Sequence, residues 1–159
     1  MKPRFFFIHA FILLCILNAF AVHAQTSAQQ IYYQKLRTDL LSRDYQPVTE
    51  LNTSLTNGQL YSIPVDLATG VTYKFFLVAP EEVSGSGIEL QDGMHFRVKN
   101  NLLVRSGNTF LNEFTYYSTH SGPMYAVFAC INPSKKASDV HILIYKKSGY
   151  YGDDQLLPR

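Results

Sequence analysis

The sequence predicts a mostly β protein, an antiparallel β-sandwich of about eight short strands preceded by one amphipathic helix. Before Pro47, the apolar residues recur at the spacing of one helix face. After Pro47, they alternate with polar residues along short runs, which is the period of a strand with one buried face. Residues typical of turns separate these runs about every 8 to 12 residues, as they do in all-β sandwiches.

The first residues have the features of a cleavable secretory signal peptide. Lys2 and Arg4 provide a positive start, residues 5–20 are mainly apolar, and Ala21-Val22-His23-Ala24 places small residues at a cleavage site. The apolar run is shorter than the roughly 20 residues that a membrane-spanning helix needs. We therefore expect a signal peptide over residues 1–24, cleavage after Ala24, no membrane anchor in the mature chain and a secreted or periplasmic location.

Removal of this segment changes the charge and the cysteine content of the chain. The full sequence has 14 Lys and Arg and 12 Asp and Glu residues, and two of the basic residues lie in the predicted signal. A formally neutral mature chain without a basic run is not typical of proteins that bind nucleic acid. Cys130 then remains as a single thiol, and its apolar neighbours in the sequence predict a buried packing role. An exported domain of this size without a disulfide favours a bacterial protein.

Residues 25–46 are predicted as the helix and a linker. Tyr32, Leu36 and Leu40 recur at four-residue intervals and form an apolar stripe, and the helix should end near Arg43. We expect this helix to pack on the sandwich or to cover one of its edges, where it would block strand addition.

Residues 47–147 are predicted as the sandwich and residues 148–159 as a polar tail. Pro64 lies within one alternating run and predicts an edge strand or a bulge. Asn57-Gly58 suits a tight hairpin because both residues tolerate positive φ. The run 125–131 is apolar on both faces and predicts a central strand covered on both sides. The clearest alternating runs cover residues 61–67, 71–79, 94–99 and 140–145.

Several phrases of the sequence resemble the strands of bacterial pre-peptidase C-terminal-type domains. The phrases are Asn57-Gly58-Gln59, Val65-Asp66-Leu67, the run 70–75, the run 87–93 and the run 121–127. Domains of that family are secreted, jelly-roll-like sandwiches that accompany hydrolases as non-catalytic modules. The resemblance therefore implies a jelly-roll-like fold and a non-enzymatic role, and it implies no mechanism.

Four carboxylates are the candidate ligands for a metal ion. Glu81, Glu82, Glu89 and Asp92 lie in and beside a Gly/Ser-rich segment, and the family that the chain resembles often binds calcium in such connections. The segment lacks the dense Asp-x-Asp-Gly spacing of a specific calcium loop. We favour solvated loop charge over calcium and expect no other cofactor.

An enzymatic function has little support in the sequence, which contains no G-x-S-x-G, H-E-x-x-H or C-x-x-C motif. The alternative that stays open is a small hydrolase in which His120 works with Ser118 or Ser121 and with an acid such as Asp139. We expect a module that is not an enzyme.

Tyrosine supplies the candidate binding residues. All 11 tyrosines lie beyond the predicted signal, and the chain has no tryptophan. Tyr116 and Tyr117, with His120 nearby, are the candidate ligand-binding residues, because a tyrosine ring offers an apolar face and a hydrogen-bonding hydroxyl. We therefore expect an exported binding or structural module of the bacterial envelope or extracellular space, with a protein or a glycan as its partner.

Overall fold

The computed structural model describes residues 28–104 and 111–149, and within this range the side chains of residues 101–104 are not described. The predicted signal peptide and residues 150–159 of the predicted tail lie outside the described residues. The helix α1 spans Ala28–Ser42. The strands are β1 (Gln46–Thr56), β2 (Tyr61–Leu67), β3 (Val71–Val78), β4 (Gly85–Gln91), β5 (Arg97–Val104), β6 (Leu111–Ser118), β7 (Gly122–Ile131) and β8 (Ala137–Ser148).

The eight strands form two four-stranded antiparallel sheets. Sheet A has the order β1-β8-β3-β6 and sheet B the order β2-β7-β4-β5. Within the described part of the chain, β4 and β5 are the one pair of successive strands that are neighbours in the same sheet. The other successive strands alternate between the two sheets, which is the connectivity of a jelly roll. The predicted fold class is therefore confirmed.

The prediction of a tight hairpin at Asn57-Gly58 is wrong. Gly58 has the expected positive φ of 73°, and a tight turn is present, because the Gln59 N–H donates to Thr56 O at 3.0 Å. The turn nevertheless carries the chain from sheet A to sheet B, since β1 pairs with β8 and β2 pairs with β7. Local turn chemistry fixes the reversal of the chain but not the strand with which each arm then pairs.

Two predictions about strand position have different outcomes. Pro64 lies on β2 at the edge of sheet B, so the prediction of an edge strand is confirmed. Strand β7 lies between β2 and β4, as expected for a central strand. Its inward residues Ala126, Phe128 and Cys130 are fully buried. Ile131 on its outer side is exposed, so the expectation that both faces are covered is wrong at this end.

The main core fills the space between the two sheets. The rings of Phe75 and Phe114 stack there with their centroids 4.7 Å apart. Cys130 lies in the same core with its Sγ 3.9 Å from Leu55 O, and burial raises the pKa of the thiol. Cys130 therefore packs as a small apolar side chain, which confirms the prediction.

A second core lies on the outer face of sheet A, under α1. Leu36 and Leu40 of the helix are fully buried, and each contributes about 1.5–3 kcal/mol through removal of apolar surface from water. The sheet contributes Phe76, Val78, Leu143 and Tyr145 to this core, and Tyr45 closes it. The helix therefore packs on a face of the sandwich and does not cover an edge.

Glu50 on β1 connects the helix to sheet A through its carboxylate. Arg37 Nε lies 3.2 Å from both carboxylate oxygens, and the Tyr33 hydroxyl donates to one of them at 3.3 Å. The buried Tyr145 hydroxyl donates to the other. Burial, followed by the hydrogen bond to Glu50, raises the pKa of Tyr145. The carboxylate thus provides a hydrogen-bond acceptor for a hydroxyl that is buried away from water.

The substitution Glu50→Ala is expected to lower the free energy of unfolding by about 1–3 kcal/mol, because it leaves the buried Tyr145 hydroxyl without its acceptor. Urea unfolding followed by circular dichroism measures the change. Glu81→Ala, at an exposed carboxylate, is the control and should change stability by less than about 0.5 kcal/mol. Equal effects of the two substitutions would contradict the role of Glu50.

His141 under the first turns of α1 makes stability depend on pH. Its ring stacks on Tyr33 at 4.3 Å, and its buried Nδ1 has no hydrogen-bond partner among the described residues. Burial lowers the pKa of His141. The unfolded chain therefore binds a proton more readily than the folded protein does, and stability should fall as the pH drops below about 6.5.

His141→Phe keeps an aromatic ring against Tyr33 but removes the titrating group. The variant should lose less stability than the wild type between pH 7 and pH 5, as measured by urea unfolding at each pH. His120→Phe, at an exposed histidine, is the control and should follow the wild type. If the His141 variant has the wild-type pH profile, the interpretation is incorrect.

Candidate functional site

The turn between β4 and β5 is held by one carboxylate. Asp92 Oδ1 accepts hydrogen bonds from the backbone N–H groups of Met94 and Phe96, both at 2.9 Å. The backbone N–H of Asp92 donates to Phe96 O at 2.9 Å, which closes the turn. His95 adopts a left-handed φ of 63°, which is uncommon for a residue with a side chain and is maintained by these bonds.

The same turn presents apolar side chains to solvent. Met94 is 75% exposed and Phe96 is 66% exposed, and Val98 at the start of β5 is also exposed. Single exposed apolar residues are ordinary on protein surfaces, but three within five residues of the chain are a concentration of the kind that marks interaction sites. The hydrogen bonds of Asp92 hold the backbone of this patch in one conformation.

Polar and aromatic side chains support the turn from the outer face of sheet B. The His95 ring stacks on Tyr125 of β7 at 4.5 Å, and His95 Nδ1 lies 3.3 Å from Gln91 Oε1. Gln91 Nε2 donates to Glu89 at 2.7 Å, and Arg97 Nε pairs with the other oxygen of Glu89 at 2.7 Å. We call Met94, His95, Phe96, Val98 and Tyr125 together the tip surface.

Sequence reasoning missed the tip surface because it predicted a strand over residues 94–99. The observed strand begins at Arg97, so Met94 and Phe96 belong to the turn. Met94, His95 and Phe96 alternate between apolar and polar residues. A tight turn with outward side chains produces the same alternation as a strand. Asp92-Gly93 is a recognisable turn signal, but the hydrogen bond from Phe96, four residues on, has no sequence signature.

The predicted binding residues Tyr116, Tyr117 and His120 do not form one platform. Tyr116 lies opposite Tyr73 and packs against the main core. Tyr117, the next residue on the strand, faces the other side of sheet A and is exposed. His120 lies in the turn after β6, with Nδ1 2.8 Å from Thr119 Oγ1.

The side chains of the alternative hydrolase do not converge. Ser118 Oγ donates to the backbone oxygen of His120 at 2.5 Å, and Ser121 Oγ accepts from the backbone N–H of Thr69 at 2.9 Å. Asp139 lies near the Val78 end of β3, whereas Ser118 pairs with the residue at its other end. Asp139 is level with a point nine residues along the β3 direction from Ser118. At about 3.3 Å per residue, roughly 30 Å of strand separates Asp139 from Ser118.

The four predicted calcium ligands lie at two ends of β4. Glu81 and Glu82 precede the strand, and Glu82 pairs with Lys135 at 2.7 Å. Glu89 pairs with Arg97, and Asp92 holds the turn after the strand. In the described ranges, no group of three or more His, Cys, Asp or Glu side chains could hold a metal ion. The structure thus separates these carboxylates into two groups, and the expectation of solvated loop charge rather than calcium stays a prediction.

Comparisons with known proteins find similarity among solved structures only. No family model and no curated protein matches this sequence, so the resemblance to pre-peptidase C-terminal-type domains stays a prediction. A chain from the solved structure of Bacillus endospore appendages, described as a novel family of disulfide-linked pili, superposes with a TM-score of 0.40. It is 10% identical, and the match covers 67% of this chain and 91% of that chain.

Among the described residues, no helix is long and apolar enough to cross a membrane.

Asp92→Ala removes the acceptor that holds two backbone N–H groups of the turn. Hydrogen bonds to a charged group are worth about 1.5–3 kcal/mol, so amide exchange at Met94 and Phe96 should become at least tenfold faster. Hydrogen exchange measured by NMR provides the test. Asp66→Ala on β2 is the control and should leave both amides unchanged; equal acceleration by both variants would contradict the role of Asp92.

Proposed function

We propose that this chain is an exported, non-catalytic β-sandwich module that binds a protein partner through the tip surface. The observation that carries the proposal is the exposure of Met94 and Phe96 on a turn whose backbone Asp92 holds. A turn of this kind works equally well with polar residues, which keep a protein soluble. Two large apolar side chains at such a position are best explained by their burial against a partner.

The chemistry of the tip surface favours a protein over a glycan. Met94 is flexible and polarisable, so its side chain adapts to an apolar pocket on a partner. Sugars instead stack on flat aromatic faces, and His95 already occupies one face of Tyr125. A glycan partner remains the second candidate, carried by the exposed ring of Tyr117.

Export and the non-catalytic role rest on separate observations. The signal-like residues 1–24 support export. The hydrogen bonds of Ser118 and Ser121 to backbone groups support a non-catalytic role, because neither hydroxyl is bonded to the imidazole of His120.

The double substitution Met94→Ser with Phe96→Ser should remove partner binding without unfolding the protein. The immobilised wild type is incubated with the exported fraction of the source cells, and bound proteins are quantified by mass spectrometry. A partner of the tip surface should be depleted at least tenfold by the double variant. Melting temperatures of both proteins, measured in parallel, confirm that the fold is intact.

Ile131→Ser is the matched control, because Ile131 is an exposed apolar residue far from the tip surface at the other end of β7. It should retain the partner. Equal capture by all three proteins would contradict the proposal. Co-sedimentation with cell-wall polysaccharide that persists in the tip variant and disappears in Tyr117→Ala would instead support the glycan candidate.

A further inference from the structure

The edges of the two sheets differ in how they are protected. On one side of the sandwich, Lys99 Nζ of β5 donates to Thr115 O of β6 at 2.6 Å, and Asn112 Nδ2 of β6 donates to Ser86 O of β4 at 3.0 Å. These bonds link sheet A to sheet B along that side. On the other side, Pro64 interrupts the edge of β2, because proline has no backbone N–H to offer.

Strand β1 has neither form of protection. It runs for 11 residues at the edge of sheet A, pairs with β8 on one side, and has no strand partner on its other side within the described part of the chain. Its single charged residue, Glu50, is engaged with Arg37 and two tyrosines. Its one proline, Pro47, lies before the register shift at the start of the strand. Long edges with few charges pair readily with another strand.

We propose that β1 is a dimerisation strand, which pairs antiparallel with β1 of a second copy and joins the two A sheets into one eight-stranded sheet. In the register centred on Thr53, residues of the same face lie opposite each other and no like charges meet. Pairing over this stretch adds about six to eight backbone hydrogen bonds. The opposed pairs are Glu50 with Thr56, Leu51 with Leu55, Asn52 with Ser54, and Thr53 with itself.

The surroundings of β1 fit a second copy of this chain. Val48 at the start of β1 is 38% exposed, and Leu60 just beyond its end is 72% exposed. In the register centred on Thr53, Val48 of one copy meets the turn at Asn57-Gly58 of the second copy, and Leu60 follows that turn. The pairing thus brings the exposed Val48 of one copy close to the turn that carries the exposed Leu60 of the other.

The helices leave room for this arrangement. Helix α1 packs on β3 and β8, so its axis lies roughly 7 Å from β1 along the sheet. Across the proposed junction the two helices are then about 19 Å apart, which exceeds the 10–12 Å diameter of a helix. At the C-terminal end of the described residues, the Gly149 N–H donates to Gly70 O, and Thr72 Oγ1 donates to Gly149 O. Gly149 therefore lies on the side of β8 that faces β3, away from the proposed junction at β1.

Two double variants that share one substitution test the register. Asn52→Lys with Ser54→Lys places like charges opposite each other twice across the proposed junction. Asn52→Glu with Ser54→Lys places opposite charges there instead. Within one copy, Ser54 faces Asp139 on β8, so the shared Ser54→Lys substitution meets the same neighbour in both variants. Both positions are exposed, so both variants should keep wild-type melting temperatures within a few degrees. Sedimentation equilibrium from 1 to about 100 μM, on the chain without its predicted signal, measures the dimer dissociation constant.

We expect a dimer in the wild type and in the Glu/Lys variant, and a dissociation constant at least tenfold higher in the Lys/Lys variant. Amide exchange of residues 49–56 should slow as the wild-type concentration rises. A monomer at all concentrations would overturn the proposal. A dimer that tolerates both variants equally would place the interface elsewhere, and loss of the dimer in both would overturn the register. The Met94/Phe96 variant should dimerise normally, which separates this test from that of partner binding.

Discussion

The structure depends on the fact that sheet A is apolar on both faces. Its inner face forms the main core with sheet B, and its outer face carries Phe76, Val78 and Leu143, which are fully buried. Both faces of such a sheet must be shielded from water, so a second layer has to pack on its outer face. Helix α1 is that cover, and Leu36 and Leu40 bury its apolar stripe there. The helix is thus an integral layer of the domain, in the order helix, sheet A, sheet B.

Sheet B has no such layer among the described residues, and this difference explains where an interaction site can lie. Its outer face holds hydrogen-bonded polar side chains such as Glu89, Gln91 and Arg97, which are stable in water. The turn beyond them is not needed to close either core. Substitution of Met94 or Phe96 is therefore expected to have little effect on the fold, which leaves these positions available for binding.

Much of the fold could be predicted from the sequence, because the period of apolar residues reports which faces are buried. The predicted run 61–67 coincides with β2, and the proline within it correctly indicates an edge. The pairing of strands could not be predicted, since Asn57-Gly58 has the same local chemistry in a hairpin as in a crossing between sheets. The tip surface was missed for a related reason: His95 and Tyr125 are distant in sequence, and only the register that pairs Gln91 with Tyr125 brings them together.

The two proposed surfaces place geometric limits on each other. The β4–β5 turn lies at the end of the sandwich where β1 begins. Strand β1 ends at the turn that leads into β2, so the end of β2 and the start of β7 beside it lie at the level where β1 begins. Gln91, at the end of β4, pairs with Tyr125 near the start of β7, which places the turn after β4 at the same end. An antiparallel β1 pair reverses one copy relative to the other, so the two tip surfaces of the dimer point in opposite directions. Such a dimer cannot apply both tips to one flat surface. If both surfaces act in the same molecule, it joins two separate partner molecules end to end, which is the geometry of a structural connector.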